Sequence, residues 1–403
     1  MAGEYAGLVD MLIALVILGV IALAWVWLLV GPTHRYAFRE TLDASTDVGS
    51  SLIDEQSWPA VSVVIPARNE ADTLRSTIPT ICGQDYPDLR VILVDDQSED
   101  ESGRVIEKLK ADHPGLLVVR GRARAAGWYG KQWAVQQGLE LAKTEWLLFT
   151  DADIIYDRVA VRQAVRYMLA HDLEMLSLLP KLILVSVGER LALSAAMAVL
   201  AALFPLSRVN NPRSKVALAA GAFILIRREA YERVGGHEAV RGEMIEDLSL
   251  ARVLKGAGTR MQSRLTRDLI RTRMYEGWAE LWEGLSKNAY AGIGYSLWKY
   301  VAGIVGGLLF GVLPPVYLVA SLVGVVAAPS AGMWGAVALS AVTNFCMIAV
   351  HGRCVRYLGL PWYYSVLLPA GGVFYSLFVT ASVWQHYFRG GAQWKGRRYP
   401  ANA

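Results

Sequence analysis

Two aspartates separated by one small residue are the first candidates for chemistry in this 403-residue chain. Asp151-Ala152-Asp153 directly follows the apolar run EWLLFT, which has the composition of a buried strand. Two carboxylates in this spacing at a strand end can hold a divalent cation, which neutralises a diphosphate and stabilises a leaving group. The pair alone is a weak signal, because it also occurs by chance in loops. The strand before it strengthens the prediction of a Mg²⁺ or Mn²⁺ site.

A second acidic pair, Glu246-Asp247, lies in RGEMIEDLSLARVLKGAG, where the spacing of the leucines and the alanine indicates the start of a helix. Asp247 is either an acid that stabilises the N-terminus of this helix or a general base that deprotonates an acceptor hydroxyl. Segment 218–236 lies just before the pair, and its glycines leave space for a sugar. Both roles of Asp247 stay open here, and Gly221 and Glu246 are candidates for a pocket that binds sugar and acceptor.

Three other segments are candidates for binding the nucleotide part of a sugar donor. Asp96 ends the apolar run RVILVDD and can accept hydrogen bonds from a base or ribose, although acids in this place also form turns. Pro66, Ala67 and Glu70 follow the strand-like run VSVVI and either line a nucleoside pocket or cap the next helix. Lys131 follows a glycine-containing loop before a helix, where it either neutralises a phosphate or is solvated.

The segment 59–270 is predicted to position all of these residues. It alternates short apolar, β-rich runs with helical stretches: the runs are 61–67, 90–96, 115–121 and 145–153, and the helical stretches include 70–82, 101–112 and 131–142. Strands that alternate with helices predict a mostly parallel sheet covered on both faces. Ligands of such sheets bind beyond the carboxyl ends of the strands, where these acidic residues lie.

The composition predicts a membrane protein, since 54% of the residues are hydrophobic and only 19% are charged. Residues 8–30 form an apolar run long enough to cross a bilayer, and the basic residues after it favour a cytoplasmic location for the downstream side. A polar linker, 31–58, precedes the catalytic segment. Residues 275–300 are predicted to form an interfacial helix region, with an ordinary surface helix as the alternative. The apolar run 191–205 is short for a span, which favours an interfacial or buried helix.

A C-terminal membrane region, 301–385, contains the three further candidate spans 301–327, 332–350 and 363–385. Three complete crossings would place the basic tail, 386–403, outside the cell, whereas its arginines and lysine favour the inside. Proline and glycine clusters in the first and last of these candidates can break a helix. We therefore predict one re-entrant or half-inserted segment and a cytoplasmic tail.

Charge and cysteine content give no indication of a nucleic-acid partner, a disulfide framework or a zinc site. The net charge of +4 is too small to indicate a nucleic-acid partner. Cys82, Cys346 and Cys354 lie far apart or without the spacing of metal ligands, so they predict neither a disulfide framework nor a zinc site.

Several of these segments occur in an order that resembles the family 2 glycosyltransferases with a GT-A fold. They are VSVVIPARNE, VDDQSEDES, TDAD, GAFILIRREAYERVGG and IED, and the resemblance covers roughly residues 59–300. It implies a Rossmann-like α/β domain and a UDP-sugar donor whose uracil contacts Asp96. It also implies that Asp151 and Asp153 serve the diphosphate and its metal, that Asp247 is the base of an inverting displacement, and that Gly221 lies beside the sugar and acceptor.

One departure from the family's processive members bears on the product. Those polysaccharide synthases carry a Q-x-x-R-W motif on an interfacial helix after the acidic pair. Here the corresponding region reads EGWAELWEGLSKNAYAG and lacks that motif. This difference favours the transfer of one sugar to each acceptor over chain extension.

A closer resemblance, over nearly the full chain, is to the hopene-associated glycosyltransferases of bacterial hopanoid clusters. It rests on GWYGKQWAVQQG, VNNPRSKVALAAGAFILIRREAY, RGEMIEDLSLARVLKGAG, LWEGLSKNAYAG and the terminal WKGRRYP. It implies a hopanoid or related lipid acceptor and a multi-pass protein of the bacterial inner membrane, with the catalytic domain in the cytoplasm.

Two alternatives stay open at this stage. A polyprenyl-phosphate acceptor would favour a local cluster of basic residues, and Arg208, Arg213 and Lys215 flank the turn at Asn210-Asn211-Pro212. A catalytically inactive nucleotide-binding scaffold in a lipid-synthesis complex is the other alternative. The presence of all four predicted site aspartates disfavours it.

Overall fold

The computed structural model of the chain describes residues 2–31, 38–48, 58–389, 391–394 and 397–400. The strands in chain order are β1 (Val61–Ala67), β2 (Leu89–Asp95), β3 (Leu117–Arg120), β4 (Trp146–Phe149), β5 (Ile154–Tyr156), β6 (Met175–Leu179), β7 (Lys181–Leu182), β8 (Ile224–Arg227), β9 (Met261–Leu265), β10 (Ile270–Thr272), β11 (Gly391–Trp394) and β12 (Arg397–Pro400). The α-helices are α1 (Ala2–Val30), α2 (Ala71–Cys82), α3 (Ser102–Asp112), α4 (Gly130–Leu139), α5 (Ala160–Ala170), α6 (Val187–Leu203), α7 (Leu206–Val209), α8 (Arg228–Arg233), α9 (Glu246–Gly256), α10 (Trp278–Gly292), α11 (Leu297–Gly307), α12 (Leu313–Ala327), α13 (Ala331–Leu358) and α14 (Leu368–Phe388).

The chain divides into two compact units. The sheet unit comprises Arg39–Leu184, Leu206–Glu276 and Gln385–Ala403, and the helical unit comprises Met1–Phe38, Val185–Pro205 and Gly277–Trp384. Parts of the predicted linker (32–37 and 49–57) and of the predicted basic tail (390, 395–396 and 401–403) lie outside the described residues.

A seven-stranded sheet in the order β3-β2-β1-β4-β8-β6-β9 is the centre of the sheet unit. Strands β1 to β4 are parallel to one another, β8 is antiparallel to both β4 and β6, and β9 is parallel to β6. The mostly parallel α/β sheet predicted for a GT-A domain is thereby confirmed. The four strand runs predicted before residue 153 all lie in this sheet, displaced by only a few residues at their ends.

Apolar cores cover both faces of this sheet. Alternate residues of β1 separate between them, with Val63 and Ile65 in one core and Val64 in the other. Strands buried on both faces need continuous apolar sequence, which explains why VSVVI and VILV show no alternation of polar residues. A second sheet has three strands in the order β5-β10-β7, and its strand β5 begins directly after Asp153.

The helical unit contains most of the long apolar helices of the chain. Within the described residues, five helical segments are long and apolar enough to cross a membrane: Leu12–Val30, Val187–Val209, Leu297–Ala327, Ala331–Leu358 and Trp362–Phe388. The predicted interfacial region 275–300 is divided in the structure, since α10 ends at Gly292 and α11 begins at Leu297. The length and apolar composition of the five segments indicate a membrane-associated protein.

The prolines in 301–327 do not break the helix, contrary to the expectation from sequence. A π-helical turn, Leu308–Val312, joins α11 to α12, and Pro314 and Pro315 lie in the first turn of α12. The Trp25 indole donates to the Phe310 carbonyl at 3.0 Å, and the Asn344 amide donates to the Pro314 carbonyl at 2.9 Å. Side chains of neighbouring helices thus bind carbonyls at the distorted turn, and the backbone stays helical.

The segment around α6 is longer than the sequence indicated. Ser186 caps this helix by accepting the Glu189 amide, and the helix with α7 extends over 23 residues instead of the apolar run 191–205. Length alone would allow a span. However, strands on both sides of α6 in the chain belong to the same sheet, so a single complete crossing would divide that sheet between two sides of a bilayer. The arrangement disfavours a complete crossing by α6, and an interfacial or buried helix stays the prediction.

Candidate functional site

The predicted site residues lie at the carboxyl ends of the parallel strands. Ala67 at the end of β1 pairs with Asp95 at the end of β2, and β4 ends two residues before Asp151. Thr150 donates to the Ala222 carbonyl at 2.7 Å, which links the end of β4 to the segment that contains Gly221. The fold therefore brings together residues that lie up to 180 positions apart, as the strand pattern predicted.

A narrow cavity opens between these strand ends. Its free volume is about 10 Å³, which is room for about one water molecule. Five predicted residues line it together with five that were not predicted: Pro66, Lys131, Gly221, Glu246 and Asp247, with Val135, Phe149, Thr150, Ile224 and His237. A sugar therefore cannot enter this cavity unless its walls move.

Lys131 connects the two predicted halves of the site. Its Nζ lies 2.6 Å from Asp151 Oδ1 and 2.7 Å from Glu246 Oε1. Burial opposes its charge, but the carboxylates of Asp151, Glu246 and Asp247 raise the pKa of Lys131 well above its usual value. A Cβ at position 221 would lie 2.6 Å from the same Nζ and 3.3 Å from Asp151 Oδ2, so these groups approach the backbone of Gly221 closely. Lys131 therefore stays positively charged among three acids.

Asp247 is held in place by the backbone. It lies in the first turn of α9, and its Oδ2 accepts the Gly221 amide at 2.8 Å while its Oδ1 accepts the Leu248 amide at 2.7 Å. Burial and the neighbouring Glu246 raise the pKa of Asp247 to about 6. At neutral pH the group is ionised and a stronger base than an ordinary aspartate, which suits proton abstraction.

Asp151 and Asp153 flank the buried Ala152. Thr272 donates to Asp153 Oδ2 at 2.9 Å, which fixes this carboxylate against β10. Burial and the charges of Asp151 and Glu70 raise the pKa of Asp153 to about 6. Among the described residues, no group of three or more histidines, cysteines or acids could hold a metal ion. Two carboxylates are present, so further ligands would have to come from a substrate.

Two loops that follow β1 and β2 form the predicted nucleoside side of the site. The Asp96 amide donates to the Ala67 carbonyl at 2.8 Å, and the Glu70 amide donates to Ser102 Oγ at 2.8 Å. Arg68 binds both loops, because its guanidinium donates to the Asp96 carbonyl at 2.8 Å and forms an ion pair with Glu99 at 2.8 Å. The loops are therefore fixed relative to each other before any ligand binds.

Gln132 and His237 are among the site residues that the sequence analysis missed. The buried Gln132 donates to the Glu243 carbonyl at 2.7 Å and accepts the Gly242 amide, so α4 holds the loop that leads to Glu246. His237 lines the cavity and lies edge-on to Phe149, with ring centroids 4.9 Å apart. The only sequence signal for His237 was its place directly after two glycines, which we assigned to a sugar pocket.

The chain is similar to several known proteins. Residues 62–235 match the model of the family described as Glycosyl transferase family 2. The 4,4'-diaponeurosporenoate glycosyltransferase of Staphylococcus aureus strain MRSA252 is 29% identical over 349 residues, which cover 84% of this chain and 88% of that protein. The same enzyme from strain USA300 is 28% identical over the same coverage. Among solved structures, the mannosyltransferase PcManGT from Pyrobaculum calidifontis, in complex with GDP-Man and Mn²⁺, is 19% identical, aligns with a TM-score of 0.47 and covers 83% of this chain and 97% of its own.

Proposed function

We propose that the chain, whose residues 62–235 match the model of Glycosyl transferase family 2, transfers a single sugar from a UDP-sugar to a membrane lipid with inversion. The observation that carries the proposal is the arrangement around one cavity. A carboxylate fixed by two amides, Asp247, lines the cavity with an ammonium group, Lys131, which is paired with an acid at a strand end, Asp151.

In the proposed reaction, Asp247 takes the proton from an acceptor hydroxyl. The acceptor oxygen forms a bond to the anomeric carbon of the sugar while the bond from that carbon to the β-phosphate oxygen breaks. The electron pair of the broken bond stays on the UDP leaving group. Attack from the face opposite the leaving group inverts the anomeric configuration. Because Gly221 and Leu248 hold both oxygens of Asp247, the base needs little reorganisation when the acceptor arrives.

We place the nucleotide-sugar donor at the carboxyl ends of β1 and β2, opposite Asp247. We propose that Asp96, Pro66, Ala67 and Glu70 bind the nucleoside. This is supported by the fixed geometry of the loops after β1 and β2. Lys131 would move from Asp151 and Glu246 toward the diphosphate, since the free volume of about 10 Å³ leaves no space for a sugar while the ammonium stays in place.

A divalent cation, Mg²⁺ or Mn²⁺, fits the acids at the end of β4. Burial first, and then the charges of Asp151 and Glu70, raise the pKa of Asp153, and a cation would relieve the repulsion among these acids. Mg²⁺ is commonly bound by one or two carboxylates together with substrate phosphates, which matches the two aspartates. When bound, such an ion would neutralise charge that develops on the leaving diphosphate. Asp153 is the proposed metal ligand, with Asp151 shared between metal and diphosphate.

The acceptor is proposed to be a hydroxylated hopanoid or a related lipid. The Staphylococcus aureus relatives are named for 4,4'-diaponeurosporenoate, a lipid-like carotenoid acid. This name and the resemblance to hopene-associated glycosyltransferases both support a large apolar acceptor. The carboxylates of Asp151, Glu246 and Asp247 surround one ammonium group, which disfavours an anionic reacting group. A neutral hydroxyl meets no such repulsion, and it also needs the base that Asp247 provides.

A polyprenyl-phosphate acceptor is the second candidate, and the basic residues after α6 are the observation that would favour it. Arg208, Arg213 and Lys215 are exposed, which is also the usual state of a solvated cation. A non-catalytic scaffold is disfavoured by the orientation of Asp247, since a scaffold has no use for a fixed base.

The decisive experiment is turnover by the purified protein in lipid nanodiscs, with a panel of UDP-sugars and three acceptors. The acceptors are a hydroxylated hopanoid, a carotenoid acid and a polyprenyl phosphate, and mass spectrometry reads the products. We expect one sugar per hopanoid, dependence on Mg²⁺ or Mn²⁺, and loss of turnover in Asp153→Ala. Products only from polyprenyl phosphate, or undiminished turnover in excess chelator, would contradict the acceptor or the metal assignment respectively.

A further inference from the structure

His237 is built into the cavity by its immediate sequence neighbours. It follows Gly235-Gly236 at the start of the 3₁₀ helix Gly236–Val240, and only 4% of its surface is exposed. It lines the cavity with Lys131 and Glu246. The reaction proposed above gives this imidazole no role.

The hydrogen bond between Tyr231 and His237 favours one ring nitrogen of His237 as the site of its proton. The Tyr231 hydroxyl accepts the backbone N–H of His237 at 2.8 Å and lies 2.8 Å from His237 Nδ1. Since the hydroxyl oxygen already accepts the amide, its own proton is available for Nδ1. Nδ1 is then an acceptor, and a neutral imidazole must carry its proton on Nε2.

The charge state of both groups agrees with this pattern. Burial raises the pKa of Tyr231, which therefore keeps its proton. Burial lowers the pKa of His237 to about 4, because its effect exceeds the opposing effect of Glu246, and Lys131 adds a smaller lowering. The imidazole is neutral throughout the physiological range.

Gly236 shows that the local sequence is adapted to the contact between Tyr231 and His237. Its φ is +56°, and a Cβ built there would lie 2.4 Å from Tyr231 Cζ. Any other residue would push the tyrosine ring away from His237. This is a different role from the one we assigned to the glycines from sequence, which was to leave space for a sugar.

The ring edge with Nδ1 is occupied by Tyr231, so the opposite edge, with Nε2, is the one available to the cavity. From this geometry we propose that His237 is a specificity-determining residue, which donates a hydrogen bond from Nε2 to a hydroxyl oxygen of the transferred sugar. A neutral donor suits this task, because the acids nearby are acceptors and Lys131 is occupied by charged groups. The inference rests on the proposed function, since it concerns the sugar of the same donor.

The test compares His237→Asn with His237→Gln. The asparagine amide reaches about as far as Nδ1 and keeps the contact with Tyr231, whereas the glutamine amide reaches about as far as Nε2 and keeps a donor at the cavity. Calorimetry gives the dissociation constants of UDP, of the UDP-sugar that binds tightest, and of its epimers. His171→Gln is the matched control, since His171 stacks on Tyr167 at the end of α5 and does not line the cavity.

We expect His237→Gln to keep the wild-type ratio of dissociation constants among the UDP-sugars. In His237→Asn this ratio should fall about tenfold, which corresponds to the loss of one neutral hydrogen bond. The affinity for UDP, which has no sugar, should change in neither variant. Equal preference in both variants, or a parallel loss of UDP affinity, would overturn the proposal. It would also fail if the wild-type protein binds UDP but shows no preference among the UDP-sugars. If the wild type does not bind UDP, the proposed function itself fails.

A second measurement does not depend on the folding of a variant. Nitrogen NMR of the wild-type protein labelled at histidine distinguishes a protonated ring nitrogen from an unprotonated one. We expect His237 to carry its proton on Nε2 at pH 7. A proton on Nδ1 would contradict the role of Tyr231 as donor and remove the basis of the inference.

Discussion

At the scale of single residues, the most specific expectation concerns Asp247. Asp247→Asn keeps the shape of the side chain and one of its two acceptor contacts, but it cannot take a proton. Loss of a general base typically lowers a rate by about 10²–10⁴-fold. We expect this loss in turnover with little change in the affinity for UDP, because the base acts on the acceptor. Asp172→Asn, at an exposed turn, is the matched control.

The pH profile gives an independent reading of the same group. Asp247 must be ionised to act as a base, and burial beside Glu246 raises its pKa to about 6. The kcat/KM of the wild type should therefore fall as the pH decreases through about 6 and reach a plateau above it. In Asp247→Asn, the fall in kcat/KM that is due to protonation of Asp247 should be absent, whereas a fall due to protonation of Asp153 should persist. A wild-type profile that is flat between pH 5 and 7 would contradict the assignment of the base.

Single residues also show what the sequence could and could not predict. Asp96, Asp151 and Asp247 were predictable because each directly follows a strand or begins a helix, and local sequence determines those positions. The pairing of Lys131 with Glu246 was not, because it joins residues 115 positions apart through the tertiary fold. His237 was missed since its role depends on the hydrogen bond from Tyr231, which no spacing rule encodes.

At the scale of elements, the close packing of α4 on the sheet determines where Lys131 lies. A Cβ at Gly138, near the end of α4, would lie 2.5 Å from Val64 Cγ1 and 3.0 Å from Val94 Cγ2. We expect Gly138→Ala to lower the free energy of unfolding by about 1–3 kcal/mol through overpacking, although alanine favours a helix. Turnover should fall as well, because α4 moves with Lys131.

The matched control is Gly103→Ala in α3, where a Cβ would meet no atom within 4 Å. This variant should be neutral or slightly stabilised. Thermal unfolding of both proteins in the same detergent, followed by tryptophan fluorescence, measures the difference. Equal unfolding temperatures would show that α4 can shift without cost and that its position is not fixed by this contact.

Elements differ in how far sequence determines them. The strands of the sheet were predictable because burial on both faces demands apolar runs bounded by turns. The continuity of α11 and α12 was not, since Pro314-Pro315 normally ends a helix. Here the π-helical turn and the side chains of Trp25 and Asn344 provide the alternative contacts, and these come from distant parts of the chain.

At the scale of the whole molecule, the position of α6 within the sheet-forming sequence determines topology. Strands β1 to β7 precede α6 and β8 to β10 follow it, so the residues on both sides of α6 must share one side of the membrane. In a background without Cys82, Cys346 and Cys354, we expect Asp172→Cys and Arg213→Cys to resist a membrane-impermeant maleimide in intact cells. Both should react after permeabilisation.

Ala328→Cys, between α12 and α13, provides the positive control, because one crossing separates it from the catalytic side. Labelling of Arg213→Cys but not Asp172→Cys from outside would show that α6 crosses. A cysteine in the tail 395–403, which lies largely outside the described residues, is predicted to be protected. That protection requires one of the three C-terminal segments not to cross completely.

The order of strands has a consequence for synthesis on the ribosome. Strand β8 lies between β4 and β6 in the sheet but is made after both, with α6 in between. From the end of β6 to the end of β8 the ribosome adds about 50 residues, which takes roughly 2–10 s at about 5–20 residues per second. During this interval β6 has no neighbour to join and the edge of β4 is unpaired. The sheet can close only after α6 has left the ribosome, so the handling of that helix precedes assembly of the catalytic centre, which also requires the later synthesis of Asp247 in α9.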